Sequence, residues 1–290
     1  MSGKWVIFTD VDGTFLDAHT YDCEPQRPAV ERLKAANVPI VFCTSKTRAE
    51  VLHLRKALQI HDPFIVENGG AIYVEKDYFP FPLKKGVLRH GMVAVELGTP
   101  HRILVEAMDR VEDETGCRVH RFSRMTDRMV SKVTGLALPM ARLAREREYD
   151  EPFWFGPGPP ARQKLFLKSI RRLPGIRVTK GNRFYHLKGV ANKGRAVELL
   201  KAFYLRLWCS STFIGLGDSA NDIPMLRAVD YPIVIPRASG QVDPDVVSGL
   251  PTVLRSPLAA PHGWFAGAVM ACPDLPRTGA GERRARPRVE

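Results

Sequence analysis

The chain has 290 residues, of which 44% are hydrophobic and 26% are charged, and its five cysteines include no C-x-x-C pair. The composition is typical of a globular protein, and the length predicts about two domains. The cysteine pattern argues against a disulfide framework or a zinc ribbon, and the short apolar run before Asp10 argues against a signal peptide or a membrane span. We therefore expect a cytoplasmic protein, and its formal net charge of +12 is compatible with nucleic acid, an anionic membrane or a small anionic substrate as partner.

The first 83 residues alternate short apolar strands with amphipathic helices. The predicted strands are 5–9, 39–43 and 64–67, and the predicted helices are 28–38 and 47–58. After residue 188 the same pattern resumes, with a helix over 193–208, a strand over 211–217, a short helix over 221–229 and a strand over 231–235. Short strands separated by helices predict an α/β fold with a doubly wound parallel sheet, built from residues 1–83 and 188–275.

Residues 84–187 interrupt this alternation. The pattern there is β-α-α-β, with helices predicted over 102–114 and 161–173 and a hairpin over 176–187. It predicts a second, α+β domain inserted into the first. Because ligands of open α/β sheets bind beyond the carboxyl ends of the strands, the inserted domain would cover the site.

Two pairs of aspartates follow predicted strands. Asp10 and Asp12 come after the first strand, in DVDGT, and the alternation of that strand predicts that both side chains point the same way. Asp218 and Asp222 come after a late strand, in GDSAND. The first and a late strand can be neighbours in a doubly wound sheet, so three or four carboxylates would converge on a site suited to Mg²⁺.

Other interpretations of these motifs are a turn, a calcium loop and a nucleotide site. Asp, Gly and Thr are common in turns. An EF-hand loop starting at Asp10 fails, because its sixth and twelfth positions are Phe15 and Tyr21 instead of glycine and glutamate. GLGDSA matches the dinucleotide fingerprint, but Asp218 would occupy the pyrophosphate position and the predicted helix after it is short.

Hydroxyl groups and cations follow the second predicted strand. Thr44, Ser45, Lys46 and Arg48 lie at a predicted helix N-terminus, where backbone N–H groups favour an anion, particularly phosphate. Lys193 lies at the start of another helix, where a positive charge is slightly unfavourable. It gains a role only as a partner of the carboxylate cluster.

DVDGT, Thr44, Lys193 and GDSAND, in this order, resemble the four motifs of the haloacid dehalogenase-like phosphatases. The insertion between the second and third motifs resembles the α/β cap of the Cof type in that superfamily. The stretches TSKTRAE, PFIVENGGAIYV, REYDEPF and GNRFYHLKG resemble the mannosyl-3-phosphoglycerate phosphatase family. The resemblance covers about residues 5–255.

The resemblance implies a Mg²⁺-dependent phosphoric monoester hydrolase. Asp10 would attack phosphorus and form an aspartyl-phosphate, and Asp12 would protonate the leaving oxygen and then activate water. The resemblance implies that Mg²⁺ is bound by Asp10, the Asp12 carbonyl and Asp218, with Asp222 in support. It implies that the phosphoryl oxygens are held by Lys193 and by the hydroxyl of Thr44 or Ser45.

The substrate implied by the resemblance is mannosyl-3-phosphoglycerate, which carries a phosphate, a carboxylate and a neutral hexose. The alternative, glucosyl-3-phosphoglycerate, differs in the configuration of one sugar hydroxyl. Candidate contacts in the insertion are Arg147, Lys180 and Arg183 for the carboxylate and Asp150, Tyr185 and His186 for sugar hydroxyls. Candidate contacts near the phosphate are Asn68 and Gly69. The other candidates on the core side are Ser45, Lys46, Arg48 and Asn221.

Part of the positive charge lies in the segment 276–290, which is predicted to be a disordered tail. Elsewhere the basic residues are not interleaved with aromatic residues, as they are on surfaces that bind single-stranded nucleic acid. We therefore expect a small anionic sugar phosphate as partner and no membrane; the sequence indicates no oligomeric state. A nucleic-acid-binding protein on a vestigial enzyme fold is the alternative from another class, and four carboxylates facing a polyanion argue against it.

Overall fold

The computed structural model describes residues 4–17, 21–180 and 183–271. The strands are β1 (Lys4–Thr9), β2 (Ile40–Phe42), β3 (Phe64–Val66), β4 (Ala71–Val74), β5 (Gly86–Arg89), β6 (Met92–Glu96), β7 (Val119–Arg121), β8 (Asp150–Phe155), β9 (Arg177–Lys180), β10 (Tyr185–Lys188), β11 (Ser211–Gly217), β12 (Tyr231–Val234) and β13 (Leu254–Arg255). The helices are α1 (Arg27–Ala35), α2 (Arg48–Leu58), α3 (His101–Thr115), α4 (Asp127–Thr134), α5 (Leu138–Arg145), α6 (Pro160–Arg172), α7 (Lys193–Trp208), α8 (Ile223–Arg227), α9 (Pro244–Gly249) and α10 (His262–Ala271).

Five parallel strands form the central sheet, in the order β13-β12-β11-β1-β2. β1 pairs with β11 from Lys4 opposite Ser211 to Thr9 opposite Leu216. β3 follows β2 through a parallel bridge between Cys43 and Ile65. The predicted doubly wound α/β fold is therefore confirmed. The first strand and a late strand are neighbours, so their carboxyl ends meet at one edge of the sheet.

Successive side chains of β1 point to opposite faces of this sheet. Ile7 belongs to an apolar cluster covered by α1, α2 and α10, whereas Val6 and Phe8 belong to the cluster under α7, α8 and α9. Both faces are buried, which explains why the strands are apolar without a polar alternation. This two-sided packing holds β1 in place below the loop that carries Asp10.

A second sheet runs in the order β3-β4-β6-β5, with antiparallel pairing. The predicted division at residue 84 falls just before β5. However, β6 pairs along the whole of β4, from Ala71 opposite Glu96 to Val74 opposite Val93. The division between core and inserted domain stays a prediction, and this pairing favours placing it after β6.

The remaining antiparallel sheet, β7-β8-β10-β9, lies within the predicted insertion. The predicted helices 102–114 and 161–173 correspond to α3 and α6, and the predicted hairpin is β9 and β10. The pattern β-α-α-β is wrong, because it lacks the strands β7 and β8 and the helices α4 and α5. β7 has three residues and each of the two helices has eight, which is too short for a clear periodicity.

No helix in the described part of the chain is long and apolar enough to cross a membrane. The thiols of Cys23, Cys43, Cys117 and Cys209 are free. Cys272 and the predicted tail 276–290 lie outside the described residues.

Candidate active site

Asp10 lies in the loop that follows β1. Its backbone N–H donates to the Leu216 carbonyl at 2.9 Å, which ties the loop to β11, and only 5% of the residue is exposed. The chain then turns back, with Leu16 N–H bonded to the Val11 carbonyl at 2.8 Å. Gly13 has φ +78°, and a Cβ at this position would lie 2.8 Å from Asp218 Oδ2. The predicted turn is therefore present, and glycine allows the two acidic loops to approach.

An aromatic contact supports this loop from below. The rings of Phe15 and Trp264 meet edge to face with centroids 4.7 Å apart, and Trp264 Nε1 donates to Thr9 Oγ1 at 3.0 Å. Trp264 comes from α10, more than 240 residues away along the chain. Sequence reasoning gave no role to this residue, because a tryptophan in an apolar stretch carries no local sign of what it packs against.

Lys193 bridges two of the aspartates. Its Nζ lies 2.6 Å from Asp10 Oδ1 and 2.6 Å from Asp222 Oδ1, and the residue is almost fully buried. Burial alone would lower the pKa of Lys193, but the two carboxylates outweigh burial and hold this pKa above its ordinary value. The lysine is therefore held as a cation at the first position of α7, despite the unfavourable helix dipole.

Asp222 organises the loop after β11. Its Oδ2 accepts the backbone N–H groups of Asp218 at 3.0 Å and Ser219 at 3.2 Å. Asp218 also accepts a long hydrogen bond, 3.4 Å, from Thr14 Oγ1 of the first loop. Burial, followed by the charge of Asp222, raises the pKa of Asp218 to about 7. Asp218 is thus brought beside Asp10, while Asp222 holds both the loop and Lys193.

The carboxylates of Asp10, Asp218 and Asp222 form one cluster, with one oxygen from each lying within 4.8 Å of the others. Burial raises the pKa of Asp10 well above its ordinary value despite the charge of Lys193, and the other two carboxylates act in the same direction. A single buried ammonium therefore does not balance three carboxylates. This oxygen-only ligand set fits a hard divalent cation such as Mg²⁺.

Asp12 lies apart from this cluster. Its Oδ1 is 3.0 Å from Lys46 Nζ, which also lies 3.5 Å from Glu50 and 5.1 Å from the centre of the Tyr21 ring. Burial acts to lower the pKa of Lys46, but the Asp12 and Glu50 carboxylates outweigh it and raise this pKa. Lys46, predicted as a substrate contact, therefore holds the Asp12 side chain. The predicted ligation of a metal by the Asp12 carbonyl stays a prediction.

The structure distinguishes the hydroxyls that follow β2. Thr44 is 1% exposed, and its Oγ1 accepts the Lys46 backbone N–H at 3.2 Å. Ser45, in contrast, lines the cavity above Asp10. Arg48 pairs with Glu148 at 2.9 Å and does not line this cavity. Of the two candidate phosphoryl contacts, the geometry therefore favours Ser45, and the predicted substrate contact of Arg48 has no support.

The acidic cluster lies at the bottom of a cavity of about 420 Å³. A second chamber, of about 690 Å³, adjoins the first, and both are lined by Ser45, His186, Ser219 and Asn221. Residues of the insertion that sequence reasoning missed also line the first chamber; they are Phe122, Thr134, Leu136, Pro152 and Phe184. Most of them are apolar, so they gave no chemical signal in the sequence.

The predicted contacts of the insertion fall into two groups. Arg147, Arg183 and His186 line the first chamber, and Lys180 lines the second. Asp150 and Tyr185 line neither chamber.

Asp150 is fully buried and accepts a hydrogen bond from His186 Nδ1 at 3.0 Å, so it orients the imidazole instead of reaching a sugar. Burial would raise the pKa of Asp150, but His186 and neighbouring cations lower it. The ring of Tyr185 stacks on Phe153, with centroids 5.3 Å apart, in the apolar cluster of the insertion. The predicted contacts of both residues with sugar hydroxyls therefore have no support.

Two residues predicted to lie near the substrate phosphate, Asn68 and Gly69, follow β3. Asn68 lines the second chamber, and its Oδ1 lies 3.5 Å from Asn221 Nδ2. Gly69 has φ +93°, and a Cβ there would come within 2.2 Å of the Asn192 carbonyl oxygen. Gly69 is therefore required for close packing against the start of α7, which places Lys193.

Glu67 was not singled out from the sequence, yet it joins the core to the segment that enters β8. It is 1% exposed and accepts the backbone N–H groups of Glu148 at 2.9 Å and Tyr149 at 2.8 Å. Burial raises the pKa of Glu67 to about 8, although Arg147 and the two N–H donors oppose this shift. A glutamate within an apolar strand pattern was the only signal available in the sequence.

The raised pKa of Glu67 predicts a pH dependence of stability. Between about pH 5.5 and about pH 7.5 the unfolded chain ionises this group whereas the folded chain keeps it protonated, so ionisation favours unfolding increasingly as the pH rises. The free energy of unfolding of the wild type, relative to that of Glu67→Gln, should fall by about 1 to 3 kcal/mol over this interval. Urea unfolding at several pH values measures this difference, and a difference independent of pH would contradict the assignment.

Comparison with known proteins places this site in a family. The haloacid dehalogenase-like hydrolase family matches residues 7–90. A glucosyl-3-phosphoglycerate/mannosyl-3-phosphoglycerate phosphatase of Methanococcoides burtonii is 38% identical over 261 residues, which cover 90% of this chain and 94% of the relative. A mannosyl-3-phosphoglycerate phosphatase of Pyrococcus furiosus is 38% identical over 79% of this chain and 90% of its own length.

Among solved structures, a phosphatase of the haloalkanoate superfamily from Bacteroides thetaiotaomicron has the same fold, with a TM-score of 0.62 and 19% identity over 93% of this chain and 95% of the neighbour. The chain belongs to the haloacid dehalogenase-like hydrolases, within the family of the glucosyl-3-phosphoglycerate and mannosyl-3-phosphoglycerate phosphatases.

Proposed function

We propose that the protein is a Mg²⁺-dependent phosphatase that hydrolyses mannosyl-3-phosphoglycerate to mannosylglycerate and phosphate. The observation that carries this proposal is the buried Asp10 carboxylate, 2.6 Å from Lys193 and clustered with Asp218 and Asp222, at the bottom of a cavity covered by the insertion. The names of the relatives supply the substrate. A cytoplasmic location remains a prediction.

Asp10 is the proposed nucleophile. Its Oδ1 is bonded to Lys193, which leaves Oδ2 to attack phosphorus as the bond between phosphorus and the glycerate oxygen breaks. A divalent cation held by Asp10, Asp218 and Asp222 would supply positive charge that offsets repulsion between the carboxylates and the phosphoryl oxygens. Lys193 and the hydroxyl of Ser45 would hold the phosphoryl oxygens, since Lys193 Nζ lies 2.6 Å from Asp10 Oδ1 and Ser45 lines the same cavity as Asp10.

Asp12 is the proposed acid and base. Its carboxyl group lines the same cavity as Asp10 and gives a proton to the leaving glycerate oxygen. Water then attacks the phosphorus of the aspartyl-phosphate, Asp12 takes the proton of that water, and Asp10 is released as a carboxylate. Lys46, 3.0 Å away, fixes the orientation of the Asp12 side chain throughout the cycle.

The insertion would bind the rest of the substrate. Phe122, Leu136 and Phe184 give the first chamber an apolar wall, and His186 adds a polar group oriented by Asp150. A hexose has both apolar C–H faces and hydroxyl groups, so this combination suits it. The relative from Methanococcoides burtonii is named for both the glucosyl and the mannosyl compound, and we include the glucosyl compound as the second candidate substrate.

Steady-state kinetics test the proposal. We expect kcat/KM for mannosyl-3-phosphoglycerate to exceed that for free 3-phosphoglycerate by at least about tenfold, because the hexose adds contacts with the insertion. Glucosyl-3-phosphoglycerate, compared in the same assay, decides the sugar preference. Activity should require Mg²⁺ and disappear in EDTA.

Adding Mg²⁺ in excess of EDTA is the control, and it should restore the rate. Full turnover in EDTA would remove the metal from the mechanism. Equal kcat/KM values for the sugar-bearing and the free phosphoglycerates would contradict the proposed substrate.

A further inference from the structure

The last residue of β10, Lys188, faces the substrate cavity. Along this strand Tyr185 and Leu187 pack into the apolar cluster under α3 and α6, so the alternate residues His186 and Lys188 point to the opposite face. Both line the second chamber, together with Lys193. Lys188 thus lines the same chamber as the lysine that holds the nucleophile, but it is supplied by β10.

Lys188 differs from the cations of the insertion that line the two chambers. Arg147 donates to the carbonyls of Ala144 and Ser45, both at 2.9 Å, and Arg183 donates to the Thr134 carbonyl at 2.6 Å. The ammonium of Lys180 lies 5.7 Å from the centre of the Tyr185 ring. The backbone of Lys188 pairs with β8 and β9, but its ammonium makes no hydrogen bond or ion pair with any residue in 4–17, 21–180 or 183–271.

An ammonium in this position is poorly compensated. Lys188 is partly buried; burial and the nearby charge of Lys193 lower its pKa, and Asp150 opposes this shift. The carboxylate of Asp150 is itself occupied by His186. An anionic ligand group in the second chamber would therefore gain a charged partner whose donors are free, without breaking an existing contact.

We propose that Lys188 binds the carboxylate of the substrate and thereby selects phosphate esters of glycerate. The inference rests on the proposed function, because it needs a phosphate held above Asp10. In such an ester one carbon separates the carboxylate from the carbon that bears the phosphate. The two anionic groups therefore lie only a few ångströms apart. Lys188 and Lys193 line one chamber, and they are close enough for the charge of Lys193 to lower the pKa of Lys188.

The test compares two small phosphate esters that differ only at the end remote from the phosphate, 3-phosphoglycerate with a carboxylate and glycerol 3-phosphate with a hydroxymethyl group. The wild type should prefer 3-phosphoglycerate by about 10- to 100-fold in kcat/KM, the range expected for a charge-assisted hydrogen bond. In Lys188→Met this ratio should fall to about 1, mainly through the KM for 3-phosphoglycerate. Lys188→Arg keeps the charge and should retain a ratio clearly above 1.

Lys168→Met is the matched control, because Lys168 is an exposed lysine of α6 that lines neither chamber, and its loss should leave the ratio unchanged. A wild type without preference, or a Lys188→Met variant with the wild-type ratio, overturns the inference. So does a variant that loses activity towards both esters equally. The sugar is absent from this pair of substrates, so the result is separate from the test of mannosyl-3-phosphoglycerate.

Discussion

Asp10→Asn should abolish phosphate release while the protein remains folded. The amide is nearly isosteric with the carboxylate but cannot form the aspartyl-phosphate, so we expect a loss of at least about 10³-fold in kcat. The loss of one negative charge beside Asp218 and Asp222 also relieves repulsion, which limits the effect on stability. Phosphate release and thermal unfolding measure the two quantities, and mass spectrometry of the quenched wild type should detect the phosphorylated chain.

Asp113→Asn provides a control for this experiment, because Asp113 lies at the surface of the insertion and pairs with the exposed Arg118. Its activity and stability should match those of the wild type. Substantial turnover by Asp10→Asn would rule out the assigned nucleophile. Unfolding of that variant would instead show that Asp10 is needed for the fold, and Asp10→Glu would then separate position from chemistry.

Lys193→Met should reduce both activity and stability. The substitution leaves Asp10 and Asp222 buried without the ammonium that lies 2.6 Å from each. Removing one partner of a buried ion pair costs about 3 to 5 kcal/mol of unfolding free energy. The lost phosphoryl contact should lower kcat by about 10²- to 10³-fold. Urea unfolding in EDTA and phosphate release with saturating Mg²⁺ are the measurements.

Lys201→Met, on the same helix, is the matched control. Lys201 donates to the Ala228 carbonyl and lies over the Phe213 ring, away from the acidic cluster. Its loss should lower stability less than the loss of Lys193 and leave kcat unchanged. Equal stability of Lys193→Met and the wild type in EDTA would argue that the carboxylates are protonated in the metal-free protein and do not need the lysine.

Local sequence predicted the position of most of the acidic residues, but not the geometry of the loops that carry them. Asp10, Asp218 and Asp222 were predicted to converge because each follows an apolar strand, and the pairing of β1 with β11 brings them together. Asp12 was expected to point the same way as Asp10 from an extended strand. In the structure β1 ends at Thr9 and a turn brings Asp12 to Lys46, but both aspartates line the first chamber. The strand pattern predicted the elements, whereas the exact loop geometry depended on contacts with other loops.

The structure of the insertion was predicted only in part. Its long helices and hairpin have clear periodicity and were predicted, but α4, α5, β7 and β8 were not. Residues such as Asp150 and Tyr185 seemed suited to a sugar by chemistry alone. Their actual neighbours, His186 and Phe153, come from different strands of the sheet, and strand order cannot be inferred from residue type.

The sequence by itself determined the fold class and the ordered acidic, hydroxyl and lysine motifs, because strand periodicity and the chemistry of side chains are local properties. Only the tertiary structure decided that Ser45 instead of Thr44 faces the cavity, that Glu67 joins the core to the insertion, and that the ammonium of Lys188 has no partner among the described residues. These outcomes depend on burial and on which hydrogen-bonding groups other parts of the chain have already occupied.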